Sequence, residues 1–456
     1  MDAAAPRHDD PILSGPHWPV FWRYALPSVA GLLALTTANI VDGIFIGNFA
    51  GAEALAALNL LIPYFAVLFG LALALAIGGT VRAGKALGEG DSAAASATFS
   101  KCLIATLGLA LVAALLCLRF HEPLYRLLGA APELYPLMSE YFLIMLWVLV
   151  VQLVTLVLYY FVRVDGFPGL ATTALVAGAG ANILLDALLV GYLGQGLRGA
   201  ALATGLAQGL QLAILLGYFL RRGRRLRFSP RQRHWGEVLK AGVNGVSEWI
   251  NEASVGLVML LINWLLMSSQ GVTGVAAFTV VNYLIFLSLM VFYGISDAMH
   301  VLLSHNLGAG NARRIRAFMG CGASVILGLG LVLVAAVWWQ GGALVRLFLD
   351  GADQATARLA DQFLAILWPL FLINGLNVLL SVYLTAMHRP LPSAVVALSR
   401  SLVLPAALLV LIATLRPEWP LLLALPLAEW LTFGLALSLF LRYRPRRLLP
   451  GEPAGV

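Results

Sequence analysis

About twelve long apolar segments, separated by short polar stretches, run through this chain of 456 residues. Their centres lie near residues 36, 69, 110, 150, 180, 210, 254, 289, 328, 373, 404 and 431. Each segment is long enough to cross a bilayer as a helix, and too long and too uniformly apolar for a barrel strand. Helices also satisfy the backbone hydrogen bonds that lipid cannot. The pattern therefore predicts an all-α membrane protein with twelve transmembrane helices.

The longest polar connection, residues 221–235, separates six apolar segments from six. A shift of 220 residues aligns the stretch that starts at Gly51 with the one at Gly271, and LGEGD at Leu87 with LGAGN at Leu307. Six spans per copy is an even number, so both copies would enter the membrane in the same orientation. We predict two pseudo-symmetric six-helix bundles related as parallel repeats, the architecture of a carrier.

This division predicts five regions. They are a cytoplasmic N-terminal tail at 1–22, a first lobe at 23–220, a basic cytoplasmic linker at 221–237, a second lobe at 238–442 and a cytoplasmic C-terminal tail at 443–456. The polar N-terminal stretch has no short apolar core followed by a cleavage site, so we expect the first helix to remain without a removable signal.

Composition supports a membrane protein, because 61% of the residues are hydrophobic and only 11% are charged. The formal charge of +7 follows the predicted topology: with a cytoplasmic N-terminus, 22 Lys and Arg residues fall inside and six outside. This distribution obeys the positive-inside rule and predicts that both termini are cytoplasmic, in an inner membrane. It argues against nucleic-acid binding. The three cysteines, scattered through predicted spans, suggest neither a disulfide nor a zinc site.

The first half carries buried-acid candidates at one depth. Asp42 lies near the outer end of span 1, Asp186 and Asn182 near that of span 5, and Thr204 near that of span 6. At 1.5 Å per residue, all four lie within roughly 8 to 15 Å of the outer surface. Asp42 alone could be a capping or interfacial residue. Two carboxylates, an amide and a hydroxyl together favour a site for a hard cation or a proton.

In the second half, Glu248 and Glu252 share one face of span 7, and Asp297 and Arg400 lie in spans 8 and 11. For Glu248, Asp297 and Arg400 we favour a structural ion pair, with Glu248 and Arg400 at matching depth. Glu252 lies deeper and is the better candidate for a substrate cavity. The role of Glu429 in span 12 stays open.

Two Gly-x-Gly pairs, at Gly88 and Gly308, resemble phosphate-binding loops only superficially. Neither follows a strand or carries the Lys-Ser/Thr of a nucleotide loop, and both recur at the same place in the repeat. No nucleophile elbow, His pair or Cys-His arrangement is visible, so we expect no enzyme activity.

The sequence resembles the multidrug and toxic compound extrusion (MATE) family over nearly its whole length. The motifs that carry the resemblance are NIVDGIFIGNFAGAEALAALNLLIPY, RVDGFPGLATTALVAGAGANILLDALLV, LLSHNLGAGNARR and NVLLSVYLTAMHRPLPSAVVALSR. The resemblance implies a V-shaped pair of bundles that exports cationic amphipathic compounds in exchange for Na⁺ or H⁺ by alternating access. It implies no cofactor besides the coupling ion, which is either Na⁺ or H⁺.

The resemblance also assigns residues. The family's ion site maps onto Asp42, Asn182, Asp186, Ala200 through its backbone, and Thr204, with Na⁺ as one possible occupant, and the family's span-7 acid maps onto Glu252. The chain departs from the family in two respects. Asn374 and Asn377 stand in span 10, where some members carry an acid, and belong to the expected substrate cavity. Ala38 stands where some members have a tyrosine.

A flippase for lipid-linked oligosaccharides, from the same superfamily, is the alternative function. Such carriers tend to have fourteen spans and a more cationic cavity, whereas this chain has twelve predicted spans, several buried acids and one buried arginine. The expected partners are small cationic or amphipathic drugs and the bilayer, and we expect a monomer.

Overall fold

The computed structural model describes residues 10–230, 235–348 and 354–449. In these ranges, eleven helices are long and apolar enough to cross a membrane. The longest has 63 residues, Val246–Gly308, and is interrupted at Gly271, where φ is 65° and ψ is −158°. This backbone conformation lies outside the helical region, so the element consists of two spans that meet at Gly271. The prediction of twelve transmembrane helices is thereby confirmed.

The helices of the first half, in chain order, are α1 (Pro11–Ser14), α2 (His17–Phe45), α3 (Ala52–Gly88), α4 (Ser92–Leu127), α5 (Tyr135–Val164), α6 (Pro168–Asp186), α7 (Gly196–Leu216) and α8 (Gly236–Asn244). Those of the second half are α9 (Val246–Gly308), α10 (Ala312–Phe348), α11 (Gln354–Ala386), α12 (Pro390–Leu398), α13 (Leu404–Leu415), α14 (Ala424–Arg442) and α15 (Pro445–Leu448). Three π-helical turns, at Ile46–Ala50, Ala187–Tyr192 and Ser399–Val403, extend α2 and α6 and join α12 to α13. Short 3₁₀ turns occur at Pro132–Leu134, Gly217–Leu220 and Leu421–Leu423.

The described residues form two compact units. The first unit is Leu26–Trp249, and the second consists of residues 10–25 together with the chain from Ile250 onward. Residues 238–249, which we assigned to the second lobe, therefore pack with the first unit. Conversely, residues 10–25, assigned to the N-terminal tail and the start of the first lobe, pack with the second unit.

Parts of the predicted tails and linker, residues 1–9, 231–234 and 450–456, lie outside the described residues. The basic linker is described only up to residue 230 and again from 235.

The two Gly-x-Gly pairs form matching turns after α3 and α9. Gly90 and Gly310 take positive φ values of 84° and 70°, which glycine adopts without steric cost. Directly after them, the Asp91 side chain accepts a hydrogen bond from the Ala94 amide at 2.8 Å, and Asn311 accepts one from the Arg314 amide at 3.0 Å. Each side chain caps the start of the next helix. The pairs are loop turns of the repeat, as predicted.

Each unit has an apolar core of its own. In the first unit, Leu61 of α3 packs with Met138 and Phe142 of α5, and all three are fully buried. In the second unit, Leu266 of α9 and Leu367 of α11 have the same role. These cores hold the helices at fixed depth and rotation, which positions the polar side chains described below.

The N-terminal segment is fixed to the second unit through one carbonyl group. Ile12 is 1% exposed, and its carbonyl oxygen accepts hydrogen bonds from Arg314 Nε and Nη2, at 3.1 and 2.8 Å, and from Asn306 Nδ2 at 3.3 Å. Hydrogen bonds from a charged donor are stronger than neutral ones, so Arg314 makes this a firm attachment.

Helix α8 is fixed to α3 of the first unit in a different way. A Cβ atom on Gly78 would lie 1.9 Å from the carbonyl oxygen of Ala241, and one on Gly245 would lie 2.1 Å from that of Ala74. Only glycine permits this approach of two backbones. Next to the contact, Arg82 Nε donates a hydrogen bond to Glu237 Oε2 at 3.0 Å.

We expect Gly78→Ala to destabilise the protein by about 1 to 3 kcal/mol, because the added methyl group forces α8 away from α3. Thermal unfolding of the full chain in detergent measures this change. Gly108→Ala is the matched control: no atom lies within 4 Å of its Cβ position in α4. A lower midpoint for Gly108→Ala than for Gly78→Ala would contradict the proposed contact.

The Arg82–Glu237 contact should make the stability of the protein depend on pH in the acid range. Burial alone raises the pKa of Glu237, but hydrogen bonds and charges of Lys240 and Arg82 outweigh it, and the net pKa lies below its ordinary value. The stabilisation is therefore present above the ordinary pKa of about 4.3 and is lost as the pH falls through the folded-state pKa.

We expect Glu237→Gln to lower the unfolding midpoint at neutral pH, and to lower it by less at an acid pH below the ordinary pKa of about 4.3. Glu418→Gln, which breaks an exposed pair with Arg416, should have little effect at either pH. A gap between Glu237→Gln and the unchanged protein that stays the same size in acid would refute the assignment.

Candidate functional site: two unpaired carboxylates beside a cavity

A cavity of about 460 Å³ lies inside the first unit, lined by side chains from α2, α3, α5, α6 and α7. Its walls are mainly apolar and include the rings of Phe65 and Phe69. Its polar lining residues are Asn39, Asp42, Tyr141, Gln152, Asn182, Thr204, Gln208 and Gln211. An apolar cavity with a few convergent polar groups is typical of a small-molecule site.

Asp42 lines this cavity from α2. Its Oδ1 atom is buried and has no hydrogen-bond partner in the described structure. The helix continues past Asp42 to Phe45 and then through the π turn to Ala50, so Asp42 does not cap a helix end. The geometry therefore favours the interior site over the capping alternative.

Asp186 is the last residue of α6 and is fully buried. Both of its carboxylate oxygens lack a hydrogen-bond partner among the described residues. Asn182, one turn earlier, is 9% exposed, lines the cavity and has an unpartnered Nδ2. A buried polar atom without a partner is costly, so this group is suited to bind a ligand.

Asp42 and Asp186 lie close enough for their charges to act on each other, and both act on Tyr141. Tyr141 lies on α5 and lines the same cavity. Two carboxylates this near one another, in a poorly hydrated interior, favour a bound cation or a shared proton. The structure thus brings together the two acids that the depth argument grouped.

Thr204 and Ala200 belong to α7. Thr204 lines the cavity, and its hydroxyl donates a hydrogen bond to the Ala200 carbonyl at 3.0 Å. The same carbonyl also lies within α7, where it accepts a backbone hydrogen bond of the helix, so both of its lone pairs are used. Ala200 is fully buried, so its contribution to the site comes through Thr204.

Several polar lining residues were missed in the sequence. Gln208 and Gln211 follow Thr204 by one and two turns on α7, and Asn39 precedes Asp42 by one turn on α2. Helical spacing alone could have found them. Tyr141 gave no such signal, because it reaches the site from a different helix. It supplies a phenol near Asp42 although the position one turn before Asp42 is Ala38.

The second unit contains a buried network of charged and amide side chains. Arg400 forms an ion pair with Glu429, with Nε and Oε1 3.2 Å apart. Arg400 also donates hydrogen bonds to Tyr293 Oη and Asn374 Oδ1, both at 3.2 Å. Asn374 and Asn377 donate to the two carboxylate oxygens of Glu429 at 3.1 and 2.6 Å. The charge of Glu429 is thereby compensated within the unit.

This network changes three assignments. Within the described residues, Arg400 pairs with Glu429, not with Glu248 or Asp297, because helix rotation selects α14 as its neighbour. Asn374 and Asn377, assigned to the substrate cavity, are buried, and Glu429 holds their amides in place. Glu429, left open, is the counter-ion of Arg400.

The other acids predicted in the second half of the chain lie on α9. Glu248 and Asp297 are buried, at 9% and 8% exposure, whereas Glu252 is exposed on α9. No cluster of three or more His, Cys, Asp or Glu residues suited to a metal ion occurs in the described ranges. The donor set around Asp42 and Asp186 consists of oxygens, which suits a hard cation or a proton.

Comparison with known proteins adds the family context. A sequence profile of the MatE family matches residues 27–188 and 250–411. The two matches begin just after the unit boundaries at residues 25 and 249, and they confirm the predicted duplication. The multidrug export protein MepA of Staphylococcus aureus (strain MRSA252) is 24% identical over 404 residues, covering 86% of this chain and 87% of that protein.

Solved structures share the fold. A MOP superfamily transporter from Pyrococcus furiosus Vc1 superposes with a TM-score of 0.87 at 22% identity, covering 96% of this chain and 98% of the other. A structure described as the outward-facing conformation of a multidrug resistance MATE family transporter gives a TM-score of 0.86, with the same identity and coverage. The fold of two repeated bundles is thereby established for this chain.

We expect Arg400→Gln to destabilise the protein by about 3 to 5 kcal/mol, because it leaves Glu429 buried without its counter-charge. Thermal unfolding in detergent measures the loss. Arg400→Gln/Glu429→Gln should recover most of it, since no buried charge remains. If the double variant were as unstable as the single one, the network would owe its stability to packing and not to charge compensation.

Proposed function

Because the chain belongs to the MatE family, we propose that it exports cationic amphipathic compounds in exchange for Na⁺ or H⁺. The protein is a multi-pass membrane protein, and members of this family act as carriers and not as enzymes. The relative MepA is named a multidrug export protein, which supports efflux as the direction of transport.

One observation carries the coupling proposal: Asp42 lines the cavity of the first unit, its charge acts on the buried Asp186, and three oxygens of the two carboxylates are unpartnered among the described residues. Keeping two such carboxylates ionised in an apolar interior is costly unless a cation or proton binds. The two acids would therefore contribute a large part of the binding free energy of a small cation or proton. Asn182 and Thr204 supply further oxygens.

Coupling follows from linkage between ion and cargo. If the ion binds more tightly to the state that releases cargo outside, ion binding shifts the protein toward that state. The reciprocal also holds: cargo binding then favours release of the ion. Ionised Asp42 and Asp186 attract a cationic cargo, and the neutralised pair does not. Phe65, Phe69 and Tyr141 can contact the apolar body and the charge of such a compound.

The second unit would take no coupling ion in this scheme. The buried carboxylate of Glu429 already has Arg400 as its counter-ion. Glu252 is exposed on a transmembrane helix, where an acid normally faces water, and we assign it to the path of the cationic cargo. A flippase that binds pyrophosphate would need a free buried cation, and the pairing of Arg400 with Glu429 disfavours that alternative.

The proposed location is the cytoplasmic membrane with both termini in the cytoplasm. The support for it is the excess of Lys and Arg in the connections assigned to that side.

We expect Asp42→Asn and Asp186→Asn each to reduce ion-driven efflux by about tenfold or more. This factor corresponds to the loss of a coupling free energy of typical size, about 1 to 3 kcal/mol. The measurement is the transport of a cationic dye by protein reconstituted in vesicles, with a Na⁺ gradient, a pH gradient, or neither. The driving gradient identifies the ion.

Asp361→Asn is the matched control, because this acid is exposed near the start of α11 and should leave efflux unchanged. Full gradient-driven efflux by Asp42→Asn would disprove the assignment of the coupling site. A rate of dye transport that is the same with a Na⁺ gradient, with a pH gradient and with neither would disprove the antiport mechanism itself.

A further inference from the structure

The basic linker is fixed to the first unit by a buried carboxylate. Asp165, whose side chain is fully buried, accepts hydrogen bonds from Tyr218 Oη at 2.6 Å, from the Arg225 amide at 2.9 Å and from Arg225 Nε at 3.0 Å. Next to it, Leu226 is fully buried. The chain after α7 is therefore attached at a defined point.

Two serines of α4 continue the attachment. Ser96 and Ser100 lie one turn apart, and their hydroxyls accept hydrogen bonds from the amides of Arg227 at 3.0 Å and Ser229 at 2.7 Å. Alternate residues of an extended chain face the same way, which matches the spacing of the two serines. The linker up to residue 230 thus lies along α4 in an extended conformation.

This attachment divides the arginines of the linker into two groups. Arg225 is used in the ion pair with Asp165, and Arg224 donates to the carbonyl of Phe219. Arg221, Arg222 and Arg227 are exposed. Of these three, Arg227 is attached to α4 through its backbone amide, and the Arg221 amide donates to the Tyr218 carbonyl.

Helix α8 packs against α3 and the same α4. Its docked side carries the Gly245 contact and Glu237, described above. On the other side, Trp235, Leu239 and Val243 follow each other at intervals of four residues and are 52%, 72% and 47% exposed. At this spacing they form a single apolar stripe along the helix.

We propose that Arg221, Arg222 and Arg227, together with the stripe of Trp235, Leu239 and Val243, form a docking surface for anionic phospholipids. A short helix with an exposed apolar face, next to the end of a transmembrane helix, lies in the interface with that face in the acyl region. Arg227 is bound to α4, against which α8 also packs, so the exposed arginines of the linker would meet the headgroups and their charge would select acidic lipids. Lipid binding at this surface would hold whether or not the protein transports drugs. Only the leaflet that supplies the lipid rests on the proposed orientation in the membrane.

The attachment of Arg227 to α4 lowers the entropy cost of lipid binding. Arginines on a mobile linker would lose conformational freedom on binding, whereas Arg227 is held by a hydrogen-bonded amide. The bound lipid would in turn stabilise the docked linker, since a ligand that binds only the folded form raises its stability.

The test compares the affinity of the detergent-purified full chain for phosphatidylglycerol and for phosphatidylcholine, by native mass spectrometry. We expect the unchanged protein to prefer phosphatidylglycerol. Arg221→Gln/Arg222→Gln/Arg227→Gln should weaken this preference by about fivefold per arginine, and less as salt is raised. Leu239→Ser/Val243→Ser should weaken binding of both lipids by the same factor and leave the preference unchanged.

The matched control is Arg444→Gln/Arg446→Gln/Arg447→Gln, which removes three exposed arginines close to the C-terminus. It should keep the preference for phosphatidylglycerol. Equal loss in both triple variants would show that net charge and not this surface selects the lipid, and would overturn the proposal. Equal affinity of the unchanged protein for the two lipids would also overturn it and would leave the stripe to a protein partner.

Discussion

An ionised group inside a membrane needs a counter-charge, a hydrogen-bond donor or water, and the two units meet this requirement differently. In the second unit, Glu429 contacts Arg400 and two asparagine amides, so its charge is compensated by the protein itself. In the first unit, Asp42 and Asp186 lack such donors among the described residues. In the proposed mechanism a cation or a proton that can leave supplies the compensation, which is how an exchange site would differ from a structural ion pair.

Depth along a helix could be predicted from the sequence, and rotation about its axis could not. Counting residues from the span ends grouped Asp42, Asn182 and Asp186, and in the structure Asp42 and Asn182 line one cavity while Asp186 lies within range of the charge of Asp42. The same count paired Arg400 with Glu248, whose depth matches, but the side of the helix that faces α14 decides the partner. Tyr141 was missed for the same reason, since nothing in its own segment records which helix it faces.

Local helix irregularity marks the charged positions. One π turn follows Asp42 by a single helical turn, another starts directly after Asp186, and the third contains Arg400. A π turn inserts one extra residue per turn and rotates everything after it, and such turns are frequent at functional sites. Here they reorient the helix at the points where a polar group has to face inward. The apolar sequence of these stretches gives no sign of them.

Each half of the chain begins with an arm that packs on the unit built by the other half: residues 10–25 on the second, and residues 236–249 on the first. In a symmetric pair of single-repeat chains, the same arrangement would be an exchange of arms between two molecules, as in domain swapping. Joining the copies end to end keeps that exchange within one polypeptide. Neither half, if made as a separate polypeptide from the chain's midpoint, would contain all the residues of its own unit.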